Sequence, residues 1–402
     1  MNHFTALLRR EFRLFWTNRV LRLLFIGAPL MYGILIGYAY KKGKVTDLPI
    51  LVVDADQSSL SRTILKMMED NEVLSLAAVM PDASQLNRKI IETQAACVVM
   101  IPKDFEKAVL TRKSPEITTI VNTANVLTAN YASGALQLVL GTFKAGTEME
   151  ALRKQGVPES MLLQQYEPFK TTFIKKNNRA TNYMYFLWPG ILATVLQQVL
   201  LLGLALSFAS EFENNNFKEL ISRCSSTFML ILVKLIPYLI MSMGIWGIYL
   251  GFTLWFRIPL YENILPLTWI AGVFVLAVSF IGILVSILIP SQLKATEVLM
   301  VIATPSFILS GFTWPLSQMP LWIQCIAQVI PLTHFLPVFR ILMVERGPVD
   351  LTYPYVINLG IIAFIGFIVS YIALSRKIRK MKTIKKLPGN KQTGSNTEAH
   401  GL

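Results

Sequence analysis

Residues 37–45, Gly-Tyr-Ala-Tyr-Lys-Lys-Gly-Lys-Val, hold the residue types of a phosphate-cradling loop. In such a loop backbone N–H groups surround the phosphates, a lysine reaches them, and a Ser or Thr hydroxyl holds magnesium. Here five residues separate the glycines instead of four, and Val45 stands where the hydroxyl is needed. The segment also follows an apolar run and not a strand, so it is not a nucleotide site. Asp54 and Asp56 are spaced like a metal pair, but no histidine or further carboxylate cluster joins them locally. Turn and helix-cap roles are expected for both. Of the three histidines, His3 and His400 sit near the ends, and only His334 is internal. Cys97, Cys224 and Cys325 fall in separate segments and give no disulfide framework. No catalytic constellation and no metal site emerges, so the chain is read as a non-enzyme with no ATPase site and no cofactor of its own.

The unusual composition lies elsewhere. Residues 310–335, SGFTWPLSQMPLWIQCIAQVIPLTHF, are mostly apolar, yet Pro315, Pro320, Pro331 and three glutamines interrupt them. Proline lacks an N–H and disfavours a helical residue before it, so the run breaks into pieces of one to three turns, each too short to cross a bilayer. Broken helices at membrane depth are tolerated where protein buries them or a cavity receives them. A re-entrant helical hairpin near 313–335 is expected, with Gly311 permitting its first bend. Trp314 and Trp322 suit the membrane interface, and Gln318 and Gln324 can satisfy freed backbone groups or face a cavity.

The elements around this stretch are membrane spans. The chain of 402 residues is 53% hydrophobic and 15% charged, against roughly 25% charged in a soluble domain; mean hydropathy is +0.50. Apolar runs at 21–40, 185–209, 230–256, 267–289, 298–312 and 355–374 predict six transmembrane helices. Lys234 lies near one end of the third, where a lysine can snorkel to the interface. The first run follows a basic start, as a signal peptide would, but its length and the lack of a small-x-small site after it predict an uncleaved span.

Net charge is +14. Arg9, Arg10, Arg13, Arg19 and Arg22 precede the first span, and the 377–402 tail is rich in Lys and Arg. Excess positive charge marks the cytoplasmic side, and six spans place both termini there together. Lys41, Lys42 and Lys44 disagree with this, but long translocated domains largely escape the rule. Beside a membrane span the basic tail is read as anchoring to anionic lipid, not as a nucleic-acid site.

Residues 3–19 put Phe4, Leu7, Leu8, Phe12, Phe15 and Trp16 at helical spacing among arginines, which predicts a cytoplasmic interfacial helix over 1–20. The first span covers 21–40. Segment 41–182 alternates strand-like and helix-like runs and is expected to be an extracytoplasmic mixed α/β domain. Its strands fall at 49–56, 73–80, 96–102 and 116–123, with a long helix over 125–155. Five further spans with the hairpin occupy 183–376. The fold expected is an α-helical polytopic membrane protein with an inserted α/β domain.

This arrangement resembles the permease subunits of type 2 ABC exporters. The residues that carry the resemblance are Ser310, Gly311, Phe312, Pro315, Met319 and Pro320, then Ile330, Pro331, Leu332, Thr333, Phe335 and Arg340. The surface helix, the outer domain opening with VVDADQSSLSR (52–62) and the five later spans extend it over nearly the whole chain, as in the branch with a large extracytoplasmic insertion.

The resemblance implies a dimer of permeases, identical or not, in a bacterial inner membrane, bound to two cytoplasmic ATPase subunits that hold the ATP. A periplasmic adaptor and an outer-membrane channel are further partners of this branch. The first cytoplasmic loop, 210–224, would couple the ATPases to the membrane part. Glu211, Glu213, Glu219 and Leu220 match the family pattern there, while 214–217, ending at Phe217, replaces its Arg-Gly-Thr part. The first and fifth spans of the family lie near the dimer interface, and Gly33 and Gly37 form a small-x-x-x-small pair on the first. Gln197 and Gln198 sit in mid-span, where at least one is expected to face the bundle or the transport path. The substrate expected is a small hydrophobic, amphipathic or charged molecule. The alternative is a non-transporting envelope receptor or scaffold that uses the α/β domain for recognition.

Overall fold

The computed structural model describes residues 2–166, 172, 174–178, 180–224, 226–258 and 264–386. The part of the basic tail beyond 386 lies outside the described residues. The chain divides into two compact units, residues 42–175 and residues 1–41 together with 176–402.

Unit 42–175 is built on a four-stranded sheet, with β1 at Leu48–Asp54, β2 at Leu74–Met80, β3 at Cys97–Ile101 and β4 at Thr118–Val121, in the order β2-β1-β3-β4. β1 runs parallel to both β2 and β3, while β4 is antiparallel to β3. The connection from β1 to β2 and the one from β2 back across to β3 step in opposite directions. Because such crossovers are right-handed, their helices must lie on opposite faces. Accordingly Ile64 and Met68 of helix Ser59–Glu69 pack on the face carrying Ile50 and Val52. Leu86 and Ile90 of helix Leu86–Thr93 pack on the face carrying Leu51 and Val53. A central strand covered on both sides needs apolar residues at every position, and β1 is buried without alternation. The long helix Val126–Lys154 adds Ala132, Leu136 and Val139 to the first face.

Turn chemistry ties these elements together. Asp54 Oδ1 accepts the N–H groups of Asp56 (3.1 Å) and Gln57 (2.9 Å), and its Oδ2 accepts the Ser61 hydroxyl at 2.7 Å. Asp56 Oδ2 accepts the Glu106 N–H at 3.0 Å. Ser58 caps its helix through the Ser61 N–H. The two aspartates therefore hold turns.

Among the described residues of the other unit, six helices are long and apolar enough to cross a membrane: Arg19–Ala39, Tyr183–Glu213, Thr227–Trp255, Ile264–Leu288, Gln292–Leu309 and Val349–Lys382. They contain the six predicted runs save the last residues of four, and mostly extend them. The fifth begins six residues before its predicted start, because Thr296, Ala295 and the residues before them continue the helix despite Lys294. The amphipathic helix Asn2–Thr17 buries Leu7 and Phe15. Asn18 then caps the first span, accepting from Val20 N at 2.9 Å and Leu21 N at 3.3 Å.

The second span is the axis of this unit and is buried along most of its length. Missing Cβ atoms let its neighbours approach. A Cβ on Gly190 would lie 2.5 Å from Phe312, and one on Gly282 of the fourth span would lie 2.8 Å from Leu204. Lower down, Ser286 Oγ accepts the N–H groups of Phe208 and Ala209 at 2.7 and 2.9 Å.

Between the fifth and sixth spans, helices Leu321–Gln328 and Pro331–Val344 meet at 84°. The three prolines open helical pieces more than they end them. Pro315 and Pro320 precede Leu316–Gln318 and Leu321–Gln328, and Pro331 is the first residue of its helix. Helix Pro331–Val344 runs nine residues past the predicted end of the hairpin and finishes in a π-helical turn, Arg340–Val344. Gly311 has φ +79°, and a Cβ there would meet Leu316 Cγ at 2.6 Å.

Candidate functional site

Four charged side chains converge where the amphipathic helix meets the second and third spans. Arg10 grips Glu211 with both guanidinium nitrogens, at 2.8 and 3.0 Å. Lys234 Nζ lies 2.6 Å from Glu211 Oε1 and 2.9 Å from Glu11 Oε2. Arg10 also reaches Glu11 Oε1 at 2.7 Å, which closes the ring. Glu211, Lys234 and Glu11 are all buried. Two cations and two anions cancel, which is what a water-poor setting demands of charge. The two-pronged bond from Glu211 holds the Arg10 guanidinium above its ordinary pKa. Lys234 therefore does not reach out to the interface as its place in the sequence suggests. Its ammonium lies 5.8 Å from the Phe208 ring centroid and turns inward to two carboxylates.

Aromatic packing fixes the same junction. Phe15 meets Phe25 of the first span at 5.1 Å and Tyr238 of the third at 5.5 Å, both edge to face. A cavity of about 300 Å³ lined by polar and apolar residues, among them Arg10, Glu211, Asn214 and Gln292, adjoins the cluster.

The loop that follows is short and held at several points. After the second span, Asn215 at φ +58° turns the chain into helix Phe217–Arg223. Phe217 and Leu220 are buried, with Phe217 4.6 Å from Phe212. Lys377 of the sixth span stands 4.0 Å over the Phe212 ring. Glu213 Oε2 accepts the Gln292 N–H at 2.8 Å, placing a carboxylate at the N-terminus of the fifth span. Glu219 is exposed and pairs with Arg223 at 2.6 Å.

Of the residues expected in the loop, Glu211, Glu213, Phe217 and Leu220 thus anchor it, and Glu219 lies on its free face. Arg10, Glu11 and Lys234 were not singled out for this role. The available signals were a lone lysine inside an apolar run and a lone glutamate on an otherwise basic helix.

The remaining expected residues lie elsewhere in this unit. Gly33 and Gly37 face the rings of Phe252 and Phe256, which a Cβ would strike, and the Gly33 carbonyl accepts the Trp188 indole N–H at 3.3 Å. Gln197 is buried with its Oε1 unpartnered, and Gln198 is half-buried. Gly311, Pro315, Pro320 and Pro331 shape the bent pair. There Gln324 Nε2 donates to Met319 O at 2.8 Å, and Arg340 donates to Phe312 O at 3.3 Å while lying 5.3 Å over the Phe312 ring. Phe312 in turn stacks on Phe186 at 4.9 Å.

Comparison with known proteins covers nearly the same extent. The chain is 22% identical over 376 residues to the "Probable multidrug ABC transporter permease YbhR" of Escherichia coli K12, covering 93% of this chain and 98% of that one. It is 23% identical to the "Probable multidrug ABC transporter permease YbhS" of the same organism, over 74% of this chain and 76% of the other. Over a shorter stretch, 34% of this chain and 50% of the relative, it is 31% identical to "Nodulation protein J" of Rhizobium leguminosarum bv. trifolii. The family model described as "ABC-2 family transporter protein" matches residues 19–375, and on that extent the chain belongs to the ABC-2 family of transporter proteins.

Proposed function

We propose that this chain is the membrane permease subunit of an ATP-driven exporter, with the Arg10–Glu11–Glu211–Lys234 cluster as the joint that receives motion from a separate ATPase subunit. The cluster carries the reading, because it locks the amphipathic helix to two spans directly beside the loop helix. The exposed face of Phe217–Arg223, with Lys218, Glu219 and Arg223, is the surface offered to the ATPase. ATP is bound by that partner. Both termini lie in the cytoplasm, the membrane is the bacterial inner membrane, and unit 42–175 stands outside it. The bent pair re-enters the outer leaflet, with exposed Trp314 and Trp322 at the interface.

A second permease chain covers the first and fifth spans. Gly33 and Gly37 meet aromatic rings of their own chain and set the tilt of the first span. The residues left for the second copy are the exposed Met31, Leu35 and Tyr38 with Val298 and Val301 of the fifth. The substrate is a small hydrophobic, amphipathic or charged molecule, and Gln197 with Gln198 borders its path. An adaptor and an outer-membrane channel complete the route where unit 42–175 docks them.

The test is co-purification with the ATPase chain and efflux of a cationic dye from energised cells. Reversing the exposed pair, Glu219→Lys with Arg223→Glu, is expected to weaken ATPase association and dye efflux while the protein still inserts. Unchanged association and efflux would remove the loop from the mechanism. Absence of any ATPase partner would favour the receptor or scaffold reading.

A further inference from the structure

We propose that a cavity at the other end of the second span is a binding site for a neutral, single-ring aromatic molecule carrying one hydrogen-bonding group. It lies among the start of the second span, the end of the third, the start of the fourth and helix Pro331–Val344. It is open on one side, and its volume is about 70 Å³. That is about half of the roughly 150 Å³ engineered cavity that takes up benzene. One ring therefore enters with an edge in the mouth.

The chemistry of the walls selects the ligand. Tyr185, Trp188, Trp246, Tyr249, Phe335 and Phe339 supply aromatic faces and edges. Among the described residues the lining has no carboxylate, amine, guanidinium or imidazole, so an anionic ligand would lose its hydration without return and a cation would meet only ring faces. Asn177 is exposed, and Asn178 donates to Asn182 O at 2.8 Å and accepts the Asn182 N–H at 2.9 Å. Other polar groups of the wall are also committed. Trp188 Nε1 donates to Gly33 O at 3.3 Å, Trp246 Nε1 to Thr268 Oγ1 at 3.2 Å, and Thr253 Oγ1 to Leu250 O at 2.6 Å. The Tyr249 hydroxyl is different. Tyr249 is 4% exposed, and its oxygen has no hydrogen-bond partner. A buried hydroxyl is ordinarily paired, and a ligand group that meets it recovers what burial costs. The site is separate from Gln197 and Gln198, neither of which lines it.

Calorimetric titration of the full-length chain in lipid nanodiscs, with empty nanodiscs subtracted, tests this site without any ATPase. The probes are p-cresol and toluene, which differ by one hydroxyl. Saturable binding of p-cresol at one site per chain is expected, about three- to tenfold tighter than toluene, the range of one hydrogen bond. Tyr249→Phe is expected to bind both probes equally. Ala193→Leu fills the cavity and is expected to weaken both by more than tenfold. If that variant fails to fold, Leu250→Trp fills it from the opposite helix. Non-saturable uptake by the wild type, a filled variant that folds and binds like the wild type, or a Tyr249→Phe chain that still prefers p-cresol would each overturn the proposal. None of these outcomes depends on whether the chain works with an ATPase.

Discussion

A lysine placed eight residues into an apolar helix is tolerable only because two carboxylates wait for it. Lys234→Met removes one cation and leaves Glu11 and Glu211 to share Arg10. Breaking a buried pair in this way costs about 3 kcal/mol or more, because an unmatched charge stays behind. A clear fall in melting temperature is expected by fluorescence-detected size exclusion. Adding Glu211→Gln restores neutrality and is expected to recover most of the loss; a double variant weaker than the single would show that the cluster acts through shape and not charge balance. The long-range pairings of this four-residue ring were not legible. Glu11, Glu211 and Lys234 are separated by up to 223 residues in the chain, and periodicity says nothing at that range. Asp54 was legible, since it acts on Asp56, Gln57 and Ser61 just along the chain, whereas the bond from Glu106 to Asp56 spans 50 residues and was not.

Cys97 offers a second test at this scale. Burial in β3 pushes its thiol up to about 12. The folded thiol stays protonated while the unfolded one ionises, so unit 42–175 is expected to lose stability as pH rises from 9.0 toward about 12. At neutral pH, maleimide is expected to label Cys97 only after denaturation. Fast labelling of Cys97 in the native chain would contradict its burial.

At the level of elements, the apolar runs announced the spans because a bilayer sets a minimum length that few soluble helices reach. Their ends were harder to read. The fifth span starts before its apolar run because Glu213, from a different helix, caps it. The antiparallel sense of β4 was equally hidden, as nothing in Thr118–Val121 specifies direction. The bend after the fifth span was visible at Gly311, and its conformation makes a strict demand. Gly311→Ala places a Cβ against Leu316 at positive φ, a strain of roughly 1–3 kcal/mol. It is expected to loosen helix Leu321–Gln328 and raise protease cleavage near 311–320, while Ser310→Ala, whose hydroxyl bonds only its own turn, changes much less.

For the whole molecule, sidedness is the decisive quantity. In a chain with Cys224 and Cys325 replaced by serine, Glu69→Cys is expected to react with an impermeant maleimide in cells opened only at the outer membrane. Lys380→Cys is expected to react only after the inner membrane is permeabilised. The reverse pattern would invert the topology and take the loop helix away from the ATPase side. Composition made the membrane setting plain, but no residue of unit 42–175 names what it docks.

The second span is a helix of 31 residues, about 46 Å long at the standard rise. The fourth span approaches it where Gly282 meets Leu204, nearer the Glu211 end than the Tyr183 end. If that contact is the fulcrum, the arms are roughly 14 Å and 32 Å by the same rise. A rigid rod so mounted has a mechanical advantage below one. Displacements entering at the charged end leave the aromatic end enlarged about twofold and reversed in sense. Spin labels at the two ends, followed with and without bound nucleotide on the partner, would show this gearing as a small shift paired with a larger opposite one. Equal shifts in the same sense would mean that the rod slides instead of pivoting.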